Sequence, residues 1–283
     1  MSLKLFPLVA FLALIGGCSQ PSHQVERDVV YTPPGWPAAL AADIHVPGSE
    51  APRPAVLLVH GGGWERRHRG DMDGIAARLA ARGFVVMNVA YRFAPAHRFP
   101  AQLHDLQQAV RWLRASAARY GVDPARVGAF GYSSGAHLAA LLGTVSDGDA
   151  LDQPYGGKDT RLQAVVAGGA PLDLRKFTVG RMVPQFLGAT QAGNPALFAA
   201  ASPIVHVTPD DPPMFLYHGG GDTLVDVSHA EDMKRALDQA GVRAELRILP
   251  LLGHIPTFLL ARGTHNEAME FLAAILATKP KSR

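Results

Sequence analysis

The chain holds a single cysteine, Cys18, among 283 residues, so no intramolecular disulfide can form and noncovalent contacts must hold the fold. It has no run of like charge. The net charge is only +3, with basic residues scattered among acidic ones, and no nucleic-acid partner is expected. No Cys/His/Asp cluster has metal-ligand spacing, and neither a P-loop nor a dinucleotide fingerprint is present, so neither a metal nor a cofactor is expected. Repeats and low-complexity segments are absent. The apolar stretch at 5–15 is too short for a permanent membrane helix, which needs about 20 residues. What remains is an ordinary globular composition, 48% hydrophobic and 18% charged, at a length that suits one large α/β domain.

The amino terminus stands apart. Lys4 is followed by the apolar stretch at 5–15 and then by Gly16, Gly17 and Cys18, the layout of a signal peptide. The segment Ile15-Gly16-Gly17-Cys18 resembles the lipobox of bacterial lipoproteins, in which the cysteine is acylated and becomes the new amino terminus. The competing reading, an ordinary secretory signal with an incidental cysteine, lacks a good Ala-x-Ala cleavage site nearby. The resemblance implies a signal peptide at 1–17, a short tether at 18–24 and an exported protein lipid-anchored through Cys18 at the bacterial cell envelope. Because no Asp follows Cys18, the outer membrane is expected in a Gram-negative host.

From residue 25 onward, short apolar runs alternate with longer amphipathic stretches, the rhythm of βαβ units and of a mostly parallel sheet flanked by helices. Strands are predicted at 25–31 and 40–46, around a turn containing Pro33, Pro34 and Pro37, and then at 55–59, 84–90, 126–132, 162–166, 214–217 and 244–249. Helices are predicted at 75–82, 101–119, 134–142, 228–240 and 266–277, with Gly83 and Gly241 closing the first and fourth. Residues 173–201 form an irregular, partly helical insertion. In such a sheet, sites lie at the carboxyl ends of the strands.

A serine hydroxyl becomes a useful nucleophile only when a base takes its proton and the side chain stands clear of the sheet. Gly131-Tyr132-Ser133-Ser134-Gly135 meets the second condition: small residues two before and two after Ser133 allow a strained turn between an apolar strand and an Ala/Leu-rich helix. A second element, His60-Gly61-Gly62-Gly63-Trp64, follows the strand at 55–59. Backbone N–H groups of Gly62 and Gly63, with that of Ser134 at the positive end of its helix, are expected to face the oxyanion that acyl transfer develops.

With Tyr91-Arg92-Phe93-Ala94-Pro95 and Asp123-Pro124, these motifs resemble the hormone-sensitive-lipase-like esterases of the α/β-hydrolase fold and their smaller bacterial feruloyl-esterase-like relatives, from about residue 41 to the end. The resemblance implies an acid after the strand that ends in His218-Gly219 and a base after the next strand, which selects Asp222 and His254. Asp226 competes with Asp222 but suits a helix cap better. His265 competes with His254 but reads as a surface residue. His60, His137 and His218 are expected to support loops, and Arg92 and Asp105 to pair beside the oxyanion loop. Gly220-Gly221, in place of a more usual polar pair, would loosen the acid loop.

The resemblance implies a carboxylesterase acting through an acyl-enzyme on small-molecule esters, with no cofactor. Little room exists for a long amino-terminal cap, so the insertion at 173–201 is the expected small cap. Phe177 and Phe186 would line the pocket with Trp64, unless the insertion merely packs on the sheet and Trp64 merely fixes its loop. A short apolar cap suggests short to medium acyl groups. Two other readings stay open: an amide hydrolase, since the 60–64 loop also resembles arylformamidases and the nucleophile segment oligopeptidases, and a non-catalytic surface lipoprotein with an inherited fold.

Overall fold

A computed structural model describes residues 23–48 and 52–277; the proposed signal peptide, Cys18 and most of the tether lie outside them. Eight strands form one sheet: β1 (His23–Val30), β2 (Ala41–Pro47), β3 (Arg53–Val59), β4 (Val85–Val89), β5 (Val122–Tyr132), β6 (Val165–Gly168), β7 (Met214–Gly219) and β8 (Ala244–Leu249). Their spatial order is β1-β2-β4-β3-β5-β6-β7-β8. β1 and β2 pair antiparallel, as do β2 and β4, and every other pairing is parallel. This is the mostly parallel sheet expected from the alternating pattern, in the α/β-hydrolase arrangement that the resemblance implies.

Between the strands lie α1 (Asp73–Ala80), α2 (Ala101–Ala115), α3 (Ala117–Tyr120), α4 (Ser134–Thr144), α5 (Met182–Leu187), α6 (Pro195–Ala200), α7 (Ser228–Gln239), α8 (His254–Leu260) and α9 (Arg262–Leu276). Residues 55–59 of β3 are wholly buried because both faces of the sheet are covered, which explains their unbroken apolar run. Leu57 and Val59 pack with Leu103, Leu106 and Val110 of α2 and Leu138 of α4. Val56 and Leu58 face the opposite layer, with Ile75 and Leu79 of α1 and Leu272 of α9.

The differences from expectation are local. The helix predicted at 101–119 breaks at Ser116 into α2 and α3, and Gly121 ends the second piece in the left-handed region at φ 64°. β6 lies a few residues later than predicted because Gly168 belongs to the strand: a Cβ there would fall 2.0 Å from Cζ of Tyr217. Small residues that read as a turn are room for a tyrosine ring. α8, which begins at His254, was not expected at all, and the insertion contributes α5 and α6.

The parallel pairing carries the carboxyl ends of β3, β5, β6, β7 and β8 to the same side. Val59 pairs with Gly131, Tyr132 with Gly168, and Gly219 with Leu249. Residues 60, 133, 169, 222 and 254 therefore emerge from one edge of the sheet.

Candidate active site

Ser133 sits between β5 and α4 with φ 54° and ψ −125°, a conformation that costs an L-residue energy and persists only where its surroundings impose it. Two glycines impose it. A Cβ on Gly131 would meet the carbonyl oxygen of Gly135 at 2.4 Å, and one on Gly135 would meet the carbonyl oxygens of Val59 and His60 at 2.3 Å. The Ser133 N–H donates to Gly168 O at 2.8 Å, and the Ser133 carbonyl accepts the His137 N–H at 2.9 Å. The turn is thus pinned from both sides, with Oγ left at the sheet edge.

His254 Nε2 lies 2.8 Å from Ser133 Oγ, and its Nδ1 lies 2.6 Å from Asp222 Oδ2. Asp222 is buried. Its Oδ1 accepts the N–H groups of Leu224 and Val225, both at 2.9 Å. Burial alone would raise the carboxyl pKa, but hydrogen bonds from His218, His254 and the Val225 N–H outweigh it and hold the group well below the usual carboxylate range. An ionised Asp222 on Nδ1 leaves Nε2 free to accept a proton from Oγ.

Asp226 does not join this set. Its Oδ1 accepts the Ser228 N–H at 2.9 Å, the capping role expected for it. His265 is also remote in function, but the surface position expected for it is wrong: it is buried in α9, with rings of Phe130 and Tyr217 edge-on to it and an Arg78 guanidinium N–H donating to its Nδ1. The acid loop is not loosened by its glycines. Gly220 and Gly221 donate to Leu249 O and Leu252 O at 2.8 and 3.0 Å, and a Cβ on Gly220 would fall 2.8 Å from Pro250 O. Here glycine buys close approach between the loops that carry Asp222 and His254.

The loop after β3 needs its glycines equally. Gly62 and Gly63 have φ of 128° and 65°, and a Cβ on Gly62 would fall 2.0 Å from Arg66 O. Among the described residues neither N–H has a backbone acceptor, and the N–H of Ser134, the first residue of α4, has none within its helix. These three donors are the ones expected to face an oxyanion.

Trp64 and Phe186 are packed rather than presented to a ligand. Their rings stack at 4.4 Å and 9°, and both are buried. Trp64 Nε1 donates to His137 Nδ1 at 3.2 Å, and His137 Nε2 donates to Ala201 O at 2.8 Å. One chain of contacts thereby ties the glycine loop, the helix after Ser133 and the insertion together. Burial lowers the His137 pKa to about 4, so the ring stays neutral. Phe177 is half-buried and stacked on His229. Met182 of the insertion also reaches the glycine loop: its Sδ would lie 2.9 Å from a Cβ on Gly63. The Arg92 and Asp105 pair is present as expected, buried and bidentate, with Nε and Nη2 each 2.8 Å from Oδ1. It also receives Trp36 Nε1 at 2.8 Å.

Two contributors were missed, Tyr132 and Gly169, while His218, expected to support a loop, does so and reaches the acid as well. His218 Nε2, fully buried, lies 2.8 Å from Val225 O and 3.3 Å from Asp222 Oδ2. Tyr132 Oη donates to the backbone carbonyl of His254. Gly169, at φ 55°, leaves space where a Cβ would lie 3.3 Å from His254 Cε1. Only His218, four residues before Asp222, left a sequence signal. Among the described residues no group of three or more His, Cys, Asp or Glu side chains could hold a metal ion.

A mostly parallel sheet between helical layers, with a serine on a strained strand-to-helix turn and a carboxylate and an imidazole after the last two strands, is the layout of the α/β-hydrolase fold. The BD-FAE family profile matches residues 42–237, and the chain belongs to that family. Esterases LipC and LipQ of Mycobacterium tuberculosis (strain ATCC 25618 / H37Rv) are 33% and 32% identical to it, over 71% and 69% of this chain and 52% and 48% of theirs. The chain therefore spans about half the length of these curated relatives. Among solved structures, a truncated carbohydrate esterase from gut microbiota superposes with a TM-score of 0.80 at 25% identity, covering 92% of this chain and 99% of that one. The Thermogutta terrifontis esterase Est2 with butyrate bound gives 0.74 at 27% identity, covering 93% and 98%.

Proposed function

We propose that this protein is a carboxylesterase that cleaves small-molecule esters of short to medium acyl groups through an acyl-enzyme. The observation that carries the reading is the unbroken hydrogen-bonded line from Ser133 Oγ through His254 to Asp222. Ser133 Oγ attacks the ester carbonyl as its proton passes to His254 Nε2, and Asp222 stabilises the imidazolium. The tetrahedral oxyanion is met by the N–H groups of Gly62, Gly63 and Ser134, each such donor typically contributing about 2.7–4 kcal/mol. As the carbon–oxygen bond to the alcohol breaks, the same proton goes to the leaving oxygen. Water then attacks the acyl-Ser133 ester with His254 again as base, releasing the acid.

The esterase names of the relatives support this reading, as does the compact cap whose Met182 side chain lies over the glycine loop. The test is a panel of p-nitrophenyl esters of rising acyl length, run beside Ser133→Ala and a fluorophosphonate probe. Hydrolysis peaking at short to medium chains, with neither turnover nor labelling in the variant, is the expected result. A chain that is folded but takes up no probe at Ser133 is no serine hydrolase, and a maximum at long chains overturns the acyl preference. For Cys18 the motif at 15–18 supports acylation and envelope anchoring. Metabolic labelling with a fatty-acid analogue should mark the wild type and spare Cys18→Ala.

A further inference from the structure

The loops that carry Asp222 and His254 bear a set of aliphatic side chains turned to solvent. Leu224, two residues after Asp222, is 48% exposed; Ile255, next to His254, is 51% exposed; Leu251 and Leu259 are 94% and 66% exposed. The segments that bear them adjoin, and the four side chains are taken together as one rim. Gly220 and Gly221 of the acid loop are hydrogen-bonded to Leu249 and Leu252 of the histidine loop, and Ile255 and Leu259 are four apart on α8, hence on one face of it. The segment from Pro250 to Ala261 contains no Asp, Glu, Lys, Arg, Asn or Gln in twelve consecutive residues. Its one hydroxyl, Thr257, is fully buried.

The reaction chemistry gives this rim a position. When the tetrahedral intermediate collapses, the proton on His254 Nε2 must reach the alkoxy oxygen of the ester, so that oxygen has to lie within hydrogen-bond reach of Nε2. The carbonyl oxygen is meanwhile held toward Gly62, Gly63 and Ser134. The alcohol half of the ester therefore projects over the histidine side of Ser133, the side from which the loops bearing Leu224, Leu251 and Ile255 emerge; Leu259, one turn further along α8, borders a hollow it shares with Asp71, Arg78 and Arg262. A sugar alcohol would find no exposed side-chain donor or acceptor on 250–261, whereas an alkyl or aryl group would remove both itself and the aliphatic rim from water.

We propose that this rim is the leaving-group subsite, and that the enzyme takes esters of apolar alcohols, alkyl or aryl, in preference to esters of sugars. The proposal rests on the esterase reading of Ser133, His254 and Asp222. The experiment holds the acyl group constant as butyrate and varies the alcohol: methyl, hexyl, 2-naphthyl and a monobutyrylated xyloside, with Ile255→Ser/Leu259→Ser beside the wild type. For the wild type, kcat/KM should be at least ten-fold higher for the hexyl and naphthyl esters than for the methyl ester, and higher than for the xyloside. In the double variant the hexyl-to-methyl ratio should fall at least five-fold. The alcohol leaves before deacylation, so the rate constant for hydrolysis of the butyryl-enzyme should be the same whichever ester formed it.

A flat alcohol dependence, a preference for the xyloside, or an unaltered ratio in the double variant overturns the proposal while leaving the esterase reading intact. Failure of every butyrate together with failure of fluorophosphonate labelling sinks the esterase reading itself. Two further outcomes assign the rim to another occupant. Dimers dispersed by the double substitution with no change in the alcohol ratio give it to a second copy of the chain, and vesicle binding lost on the same terms gives it to a lipid surface.

Discussion

Acid should destabilise this protein well above the pH at which ordinary carboxylates titrate, and four histidines drive the loss. His60, His137, His229 and His265 are all buried, and burial lowers each imidazole to about 4. In the unfolded chain they titrate near 6.5. As pH falls below about 6.5 the unfolded chain takes up protons that the folded protein refuses, so stability is complete above that pH and drains away down to about 4. Between pH 7 and pH 5 the linkage relation gives about 2 kcal/mol for each such site. Four sites make about 8 kcal/mol, comparable with the roughly 5–15 kcal/mol that holds a typical domain together. His137→Gln isolates one of them, because a glutamine amide can both accept from Trp64 and donate to Ala201 without titrating. Urea unfolding followed by tryptophan fluorescence at pH 7 and pH 5 should show the variant losing about 2 kcal/mol less than the wild type across that interval. Equal losses would refute the assignment of a neutral, proton-refusing His137.

Two further outcomes follow from the site. His218→Phe removes a buried donor from Asp222 Oδ2 and Val225 O; hydrogen bonds to charged groups contribute about 1.5–3 kcal/mol, so kcat/KM for p-nitrophenyl butyrate should drop about ten- to hundred-fold while the folding midpoint in urea stays measurable. Gly135→Ala drives a methyl group into two backbone carbonyls at 2.3 Å, where no side-chain rearrangement can relieve it. The expected result is loss of both soluble yield and Ser133 labelling, and a folded variant with normal labelling would show that the turn is looser than its contacts imply.

The chemistry-bearing residues were legible because each sits beside a constraint that sequence expresses directly. Gly131 and Gly135 flank Ser133 because backbones crowd there, and Gly62 and Gly63 occupy left-handed conformations. Strand periodicity placed β3, β5, β7 and β8, and the family resemblance, which puts an acid after β7 and a base after β8, then pointed to Asp222 and His254. What escaped depends on side chains meeting from distant parts of the chain. Nothing in the local sequence around Tyr132 says that its hydroxyl will hold the carbonyl of His254, 122 residues on. Nothing around Trp64 says whether its ring faces a ligand or Phe186. The burial of His265 was missed for the same reason, since a polar residue at the start of a helix reads as solvated until β7 and α1 are packed against it. α8 was missed because Pro256 and a glycine just before His254 look like loop chemistry. Gly253 is outside the helix and Pro256 lies in its first turn, where proline has no N–H to lose.

The antiparallel hairpin at the sheet margin fixes how the molecule faces anything attached ahead of it. His23 pairs with Pro47, at the far end of β2 from Ala42, which lies beside Val89 at the carboxyl end of β4. The chain thus enters the domain at the floor of the sheet, one strand-length below Ser133 and at the opposite margin from His254. Whatever holds the chain ahead of His23 meets the floor of the sheet, so the edge that bears Ser133 is turned away from that attachment.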